Sequence, residues 1–585
     1  MRFIVRFFAL IGFLVFAGFA AGVGLALWGH FRGGGTVSDG TVLSLDIGGG
    51  FPDGPPSNAL SKLLQPGRPP LKDVLDAIEK AGDDPRVKGL IAHTGGDPIG
   101  LAQAQELRDA IIAFRAKGKR AVIDADSFGD FSSGTSSYYL ASAFDEIWLQ
   151  PLGLVGLVGL RAEGTYFRGT LDLLGVVARF DHREQYKSAT DPLTEKTMTA
   201  ADREQQTALL TSDMNQIVHD IATARKLDDA TVRALVDRGP LLAQEALAAH
   251  LIDHIGYSDE VMTEMGVGPG GSKKPLSLAS YLAAVGRPHK SGPTIALIYA
   301  SGLITEGANN PNPLVGEGTV GSQTLIDAFR SAERDKDVKA ILFRIDSPGG
   351  SAVASESIWR ETMRAKEAGK KIVVSMGDVA ASGGYYIAAS ADKIVAEPAT
   401  ITGSIGVLAG KFLFAGLLNK IGGGWSAVQV GDNAGIDSSF EDFTPAQTSR
   451  FEAMLDNVYD GFKDRVAKGR RLDAASVEAV AKGRVWSGAD AKDKGLVDAL
   501  GGMSTALALA KAEAGIPADS DVTVKIYPAP QGPLRALLSR AMGRDVVDAP
   551  AAEEAAPALV ETLEAALQRL AMPPGALLMA PVDVH

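Results

Sequence analysis

Two patterns of apolar residues alternate along the chain. Short β-branched runs such as IVVSM at 372–376 and KIVAE at 393–397 alternate with helical stretches such as SESIWRETMRAKEAG at 355–369. Strands that alternate with helices are typical of βαβ units built around a largely parallel sheet. The pattern therefore predicts an α/β protein, with ligands bound where strands end and helices begin.

Three pairs of segments share their sequence pattern, their order and their spacing, so the chain is predicted to contain two copies of one domain. The pairs are VKGLIAHTGGDPIG (87–100) with VKAILFRIDSPGG (338–350), YYLASAFDEIWLQPLGLVGLVG (138–159) with YYIAASADKIVAEPATITGSIG (385–406), and LIDHIG (251–256) with LVDALG (496–501). We expect the first copy to cover residues 36–290 and the second copy to cover residues 291–530. A tail of unknown role, residues 531–585, has no counterpart in either copy.

The N-terminal segment has the pattern of a membrane anchor. Residues 7–28 are uncharged, and as a helix they would span about 33 Å at about 1.5 Å per residue. Arg2 and Arg6 precede this run, which favours a cytoplasmic N-terminus. A cleaved signal peptide is the alternative, but the run is longer than the usual apolar region of such peptides. We expect residues 1–35 to form a single transmembrane anchor, with the rest of the chain outside the cytoplasm.

Composition narrows the classes of function. The net charge of −12 argues against a nucleic-acid partner, because phosphate binding needs a basic surface. The chain has no cysteine, so a disulfide framework, a thiolate metal site and a thiol nucleophile are all excluded. We expect no cofactor and no metal.

The two copies differ where a reaction could occur. Ser382-Gly383-Gly384 of the second copy aligns with Thr135-Ser136-Ser137 of the first, and DSPGG at 346–350 aligns with a looser TGGDP at 94–98. Only the second copy therefore has glycines where a backbone could closely approach a reacting group. A serine at the start of a helix also lies near free N–H groups that can hold an oxyanion. A serine among small residues more often reflects close helix packing than chemistry, so Ser382 alone is ambiguous.

A nucleophilic serine needs a base, and the second copy contains no histidine. Lys187 lies in YKSA of the first copy, and the aligned GDNAG at 431–435 has no lysine. The serine is thus kept in one copy and the lysine in the other, which indicates a composite site between them. Burial there would lower the lysine pKa by as much as about 3–5 units from about 10.4, so that it could act as a base. A solvated surface lysine, or His182 as the base, are the alternatives.

Four segments together resemble the long, duplicated bacterial signal peptide peptidases, also called the protease IV type of peptidase family S49. They are YKSATDP, IDSPGGS, SMGDVAASGGYYIAASADKIVAEP and TITGSIGV. The resemblance implies tandem crotonase-like or Clp-protease-like βαβ spiral domains, and four chains that form a bowl facing the membrane. The implied site consists of the nucleophile Ser382, the general base Lys187, Ser404 to orient the lysine amine, and the oxyanion-binding amides of Gly383 and of Gly350 or Gly349.

The resemblance implies a membrane-anchored serine endopeptidase that degrades cleaved signal peptides and other apolar peptides. We expect a single-pass homotetramer in the bacterial inner membrane, with the catalytic part on the periplasmic side. Two alternatives share the fold: a crotonase-type thioester enzyme and a non-catalytic membrane scaffold. The membrane anchor and the Ser382–Lys187 pairing argue against the former, and the retained SGG and SPGG segments argue against the latter.

Overall fold

The computed structural model describes residues 37–55, 68–130, 132–268, 273–309 and 318–528. The predicted anchor, residues 1–35, and the predicted tail, residues 531–585, lie outside the described residues. Among the helices that are described, none has both the length and the hydropathy that crossing a membrane requires.

The strands of the described residues are numbered in chain order. They are β1 Thr41–Asp46, β2 Val87–Thr94, β3 Arg120–Ala125, β4 Glu146–Leu149, β5 Leu154–Val155, β6 Val177–His182, β7 Leu241–Leu242, β8 His254–Ile255, β9 Leu276–Ser277, β10 Thr294–Ser301, β11 Leu303–Thr305, β12 Thr319–Gly321, β13 Val338–Ser347, β14 Lys371–Ala381, β15 Lys393–Ala396, β16 Ile401–Gly403, β17 Leu408–Leu413, β18 Val485–Ser487, β19 Ala499–Leu500 and β20 Thr523–Tyr527.

Helices separate most of the strands, as the sequence pattern predicts. They are Leu71–Asp83, Leu101–Ala116, Thr135–Ala141, Arg168–Leu174, Asp191–Thr194, Ala200–Arg225, Asp229–Arg238, Ala243–Ala248, Ser258–Glu264, Leu278–Val285, Ser322–Arg334, Ala352–Glu367, Gly383–Ala388, Ala415–Lys420, Pro445–Arg470, Ala474–Val480, Gly488–Asp493 and Met503–Glu513, with a 3₁₀ turn at Ser188–Thr190.

Each copy is built on its own sheet. In the first, the order β8-β4-β3-β2-β1-β9 is parallel throughout. In the second, the order is β18-β16-β14-β13-β10-β20, with β15 pairing with β14 and β19, and only the β16–β18 pairing is antiparallel. The central strands β2 and β13 are buried along most of their length, as expected for parallel strands covered on both faces. The predicted α/β class with parallel sheets is confirmed.

The longest helices of the two copies begin and end in the same way. Ala200–Arg225 and Pro445–Arg470 both contain 26 residues. Each begins after a threonine whose side chain accepts a hydrogen bond from a first-turn N–H group: Thr199 in one copy and Thr444 in the other. Each ends at a residue with a left-handed backbone, Lys226 (φ 57°) or Arg471 (φ 56°). The repeat seen in the sequence is therefore also a repeat of local structure.

The copies are joined by backbone pairing and by buried charge. Strand β6 of the first copy pairs antiparallel with β17 of the second. The guanidinium of Arg344, which is 1% exposed, donates hydrogen bonds to Asp53 (2.8 Å) and Glu106 (2.9 Å) of the first copy. Asp378 accepts a hydrogen bond from the N–H of Gln103, in the first turn of a first-copy helix. These contacts place the carboxyl end of β14 against the first copy.

Candidate active site

Ser382 lies at the turn between β14 and the helix Gly383–Ala388, and it is fully buried. Its backbone has φ 55° and ψ −116°, a conformation that a residue with a side chain rarely adopts. Two hydrogen bonds hold it there: its N–H donates to the carbonyl of Gly403 (2.9 Å), and its carbonyl accepts from the N–H of Tyr386 (2.8 Å). The sharp turn brings the Ser382 hydroxyl to the start of the helix.

The two residues after Ser382 must be glycines because neighbouring segments of the same copy approach them closely. A Cβ on Gly384 would lie 2.6 Å from the carbonyl oxygen of Ser347, and a Cβ on Gly383 would lie 2.7 Å from Oγ of Ser355. Both distances are shorter than a carbon–oxygen contact allows. The serines that occupy the aligned positions of the first copy, Ser136 and Ser137, could not replace these glycines unless Ser347 at the end of β13 and the hydroxyl of Ser355 moved.

Lys187 of the first copy reaches the serine of the second. Its Nζ lies 2.8 Å from Oγ of Ser382, 2.9 Å from Oγ of Ser404 and 3.0 Å from the carbonyl oxygen of Ser404. The side chain is fully buried. The structure therefore brings together the serine, the lysine and the second serine that the sequence analysis singled out, across the boundary between the copies.

Burial lowers the pKa of Lys187 from its usual 10.5 to about 7. The cause is desolvation, because removing water penalises the charged ammonium. The contacts of the amine in the described residues are with neutral oxygen atoms of Ser382 and Ser404. A large fraction of Lys187 is therefore neutral near pH 7, and in that form it can accept the proton of the Ser382 hydroxyl.

Ser404 also has a left-handed backbone, with φ 51°. Its N–H donates a hydrogen bond to the carbonyl of Arg484 (2.7 Å), and both its hydroxyl and its carbonyl face the Lys187 amine. Ser404 therefore contacts the Lys187 amine at two points, and these two contacts restrict the orientation of the amine toward Ser382.

Two glycines line the pocket around the aliphatic part of Lys187: Gly406, at the end of the repeated segment 385–406, and Gly483, which the sequence did not single out. A Cβ on Gly483, whose φ is +77°, would lie 2.6 Å from both the backbone nitrogen and Cβ of Lys187. A Cβ on Gly406 would lie 3.3 Å from Cδ of Lys187. Glycines are common in turns, so Gly483 carries no signal until the copies are seen in contact.

The DSPGG turn lies beside the serine. The N–H of Ile304 donates to the carbonyl of Gly349 (2.8 Å), and the carbonyl of Ile304 accepts from the N–H of Ser351 (2.9 Å). A Cβ on Gly383 would lie 3.1 Å from the nitrogen of Gly350, so these two backbone amides are close neighbours. The Gly349 N–H instead donates to Oγ of Ser347 (3.2 Å). Gly349 and Gly350 are the two alternatives for the second oxyanion-binding amide. Gly350 lies beside Gly383, and its N–H does not make the bond to Ser347 that occupies the N–H of Gly349.

The remaining candidates have other partners. Nδ1 of His182 is hydrogen-bonded to the carbonyl of Glu184 (2.8 Å), and no contact links His182 to Ser382. Thr135 is buried, and its hydroxyl donates to the carbonyl of Gly159 (2.9 Å) in the first copy. Both side chains are thus bonded to backbone carbonyls of the first copy, and neither is bonded to Ser382.

One group of side chains in the described residues has the spacing of cation ligands: Asp76, Glu79 and His289. Asp76 is already paired with Lys72 (2.7 Å), and His289 lies 3.4 Å from Glu79. The cluster is separate from the residues around Ser382.

Comparisons with known proteins agree with the repeat and with a serine peptidase. The model of peptidase family S49 matches residues 113–269 and 364–517, one range in each copy. The chain is 34% identical to a chloroplastic serine protease SPPA of Arabidopsis thaliana, over 86% of this chain and 73% of that protein. It is 32% identical to Protease 4 of Salmonella typhi, over 83% of this chain and 81% of that protein.

A shorter relative matches as well. A putative signal peptide peptidase SppA of Enterococcus faecium is 34% identical over 35% of this chain and 59% of that protein. Proteases thus match the chain both along its length and over a single part of it, which favours a peptidase over a thioester enzyme or a scaffold. Because both copies match the family and the long relatives bear the names of proteases, this chain belongs to peptidase family S49 and is a serine peptidase.

Proposed function

We propose that this serine peptidase uses Ser382 as its nucleophile and Lys187 as its general base. The observation that carries the proposal is the buried 2.8 Å contact between Nζ of Lys187 and Oγ of Ser382. A lysine removed from water and placed within hydrogen-bonding distance of a hydroxyl is the arrangement that activates a serine without histidine.

The proposed reaction begins when the neutral amine of Lys187 takes the proton of the Ser382 hydroxyl. Oγ of Ser382 then attacks the carbonyl carbon of the peptide bond, and the N–H groups of Gly383 and Gly350 stabilise the negative charge on the carbonyl oxygen. The ammonium of Lys187 passes its proton to the leaving amine. A water molecule, deprotonated by the same lysine, finally hydrolyses the acyl-enzyme.

Ser404 is proposed to orient the base during both proton transfers. Its hydroxyl and carbonyl lie 2.9 Å and 3.0 Å from Nζ of Lys187. These two contacts leave the amine directed toward Oγ of Ser382. Fixed geometry of this kind lowers the entropic cost of reaching the reactive arrangement.

We propose that the substrates are cleaved signal peptides and other apolar peptides, met at a membrane. Two observations support this: the uncharged run of residues 7–28, and the name signal peptide peptidase borne by the relative from Enterococcus faecium. Short apolar peptides can bind as extended strands, whereas the backbone of a folded protein cannot. Cleavage is expected after leucine, alanine or similar residues within apolar runs.

The finer architecture is part of the same proposal. Each copy, residues 36–290 and residues 291–530, is proposed to be a crotonase-like or Clp-protease-like spiral domain. Residues 1–35 would hold a homotetramer in the bacterial inner membrane, with the peptidase on the periplasmic side. Anchored in this way, the site would meet peptides as they leave the bilayer.

The test of the chemistry is Ser382→Ala in the full-length chain. It should abolish peptide hydrolysis and labelling by a fluorophosphonate probe, while circular dichroism stays unchanged because a hydroxyl adds little packing. The matched control is Thr135→Ser, which places a serine at the aligned position of the first copy and should change neither reading. Full turnover in Ser382→Ala would remove this serine from the mechanism.

The substrate is tested separately with three candidates of similar size: a synthetic signal peptide, a charged peptide of equal length and a small folded domain. The signal peptide should be cleaved fastest and the folded domain spared. Equal or faster cleavage of the charged peptide would overturn the substrate assignment and leave the Ser382–Lys187 chemistry untouched.

A further inference from the structure

The side chain of Gln205 is hydrogen-bonded to the loop that contains Lys187. Gln205 lies on the helix Ala200–Arg225 and is 1% exposed. Its Nε2 donates hydrogen bonds to the carbonyl of Tyr186 (3.1 Å) and to Oγ of Ser188 (3.0 Å). Since Tyr186 and Ser188 flank Lys187, a single side chain holds the loop on both sides of the lysine.

The same amide also reaches the second copy. Oε1 of Gln205 accepts a hydrogen bond from the N–H of Val485 (3.3 Å), at the start of β18. Val485 follows closely after Gly483, whose backbone packs against Lys187. The N–H of Tyr186 in turn donates to the carbonyl of Lys482 (3.1 Å). Gln205 thus joins the lysine loop to the segment of the second copy that encloses the lysine.

Asp202 completes this layer of buried polar groups. Its Oδ1 accepts from Oγ of Ser188 (2.7 Å) and from Nε2 of Gln205 (3.0 Å). Its N–H donates to Oγ of Thr199, which caps the helix. Buried polar groups are normally hydrogen-bonded. Removing the Gln205 amide would take this acceptor from the N–H of Val485 and its hydrogen bonds from the lysine loop, and would draw water toward them.

We propose that Gln205 is a positioning residue that keeps the Lys187 amine in a water-free pocket, an inference that rests on the proposed role of Lys187 as the base. Gln205 does not contact Nζ of Lys187. It acts through the backbone of Tyr186, the hydroxyl of Ser188 and the N–H of Val485. When the hydrogen bonds of Gln205 are lost, water reaches the Lys187 amine and stabilises its protonated form, which cannot accept a proton from Ser382.

None of the other titratable or charged groups around the pocket is hydrogen-bonded to the amine. Those on the neighbouring elements are His182, Glu184, Asp191, Asp202, Glu204, Lys482 and Arg484. Asp202 loses its bond from Gln205 in the variant but keeps its bond from Oγ of Ser188. Glu204 and Arg484 form an ion pair with each other (2.8 Å). A change in the pKa of the base in a Gln205 variant therefore reports the hydration of the pocket.

The experiment is the pH dependence of kcat for Gln205→Met in the full-length chain, with a fluorogenic apolar peptide as substrate. Methionine keeps the length of the side chain and removes its hydrogen bonds. Partial rehydration should raise the pKa that governs kcat by about one unit and lower kcat near pH 7 about fivefold, with recovery at higher pH and KM changed less than about twofold.

The matched control is Gln206→Met. Gln206 is the next residue on the helix, also buried, and its Oε1 has no hydrogen-bond partner among the described residues. This variant should keep the pH profile of the parent chain. If Gln205→Met does not fold, Gln205→Asn replaces it: the shorter amide cannot span from Tyr186 to Val485, and it should give a shift in the same direction.

Two outcomes separate this inference from the proposed function. If Lys187→Met retains turnover, the role of Lys187 as the base fails, and the inference fails with it. If Lys187→Met is inactive but Gln205→Met loses activity equally at every pH, with an unchanged pKa, then Gln205 has only a structural role and the inference alone is overturned.

Discussion

Replacing Lys187 by methionine should make the protein more stable at neutral pH while abolishing its activity. Burial lowers the lysine pKa from 10.5 to about 7. Each pKa unit corresponds to about 1.4 kcal/mol, so holding this amine in the folded chain costs up to about 4 kcal/mol near pH 7. Methionine is unbranched and can occupy the channel beside Gly406 and Gly483 without that cost.

The pH dependence gives the sign of the effect. Between about pH 7 and about pH 10.5 the unfolded chain carries a proton on Lys187 that the folded chain lacks, so the free energy of unfolding of the parent chain rises with pH in this window. Below the window both states are protonated and the cost is constant. From about pH 7 to about pH 9.5 the parent chain should gain about 3 kcal/mol from this one group, and Lys187→Met should gain none of it.

The assay is urea unfolding of both full-length chains at the two pH values, followed by circular dichroism under identical conditions. The stability advantage of Lys187→Met should shrink as the pH rises. Thr135→Ser serves as a control, since it removes no titratable group, its hydroxyl is bonded to Gly159 and not to the Lys187 amine, and its difference from the parent chain should be the same at both pH values. A pH-independent difference for Lys187→Met would refute the reasoning, because it would mean that the lysine keeps an ordinary pKa in the folded chain.

Two further substitutions follow from the packing. Gly483→Ala places a methyl group against the backbone of Lys187 and should lower kcat more than about a hundredfold, because it displaces the base. The control is Gly118→Ala: Gly118 has a similar φ but open space around it, so kcat should stay unchanged. Equal kcat values for the two variants would show that the pocket around Lys187 is not tight. Arg344→Met leaves two carboxylates without their partner and should lower the free energy of unfolding by about 3–5 kcal/mol; urea unfolding checks this, and a neutral or stabilising effect would contradict it.

The sequence was sufficient to predict the parallel α/β class and the duplication, and the family resemblance was sufficient to predict a serine peptidase. Differences between the copies identified both main candidates. Ser382 stood out because the first copy lacks the glycines that follow it, and Lys187 stood out because the aligned residues of the second copy include no lysine. The family resemblance added Ser404. The roles of these residues stay predictions, but their close approach is a property of the fold.

Other parts of the site could not be predicted from the sequence. Gly483 contacts Lys187 of the other copy, and Gln205 bonds to the lysine loop in its own copy and to Val485 in the other. Nothing in the residues around them differs from an ordinary turn or helix. The left-handed backbone of Ser382 is likewise imposed by hydrogen bonds to residues that follow it. These features depend on which surfaces meet, and short-range patterns along the chain do not encode that information.

The division of the pocket between the copies has a consequence for biosynthesis. Lys187 is translated well before Ser382, and Gly483, which closes the pocket, emerges from the ribosome later than both. A nascent or truncated chain therefore has neither the dry environment that neutralises the lysine nor the strand against which its loop is held. On the proposed mechanism, peptide hydrolysis therefore requires that synthesis has passed β18, Val485–Ser487, and that the two copies have docked.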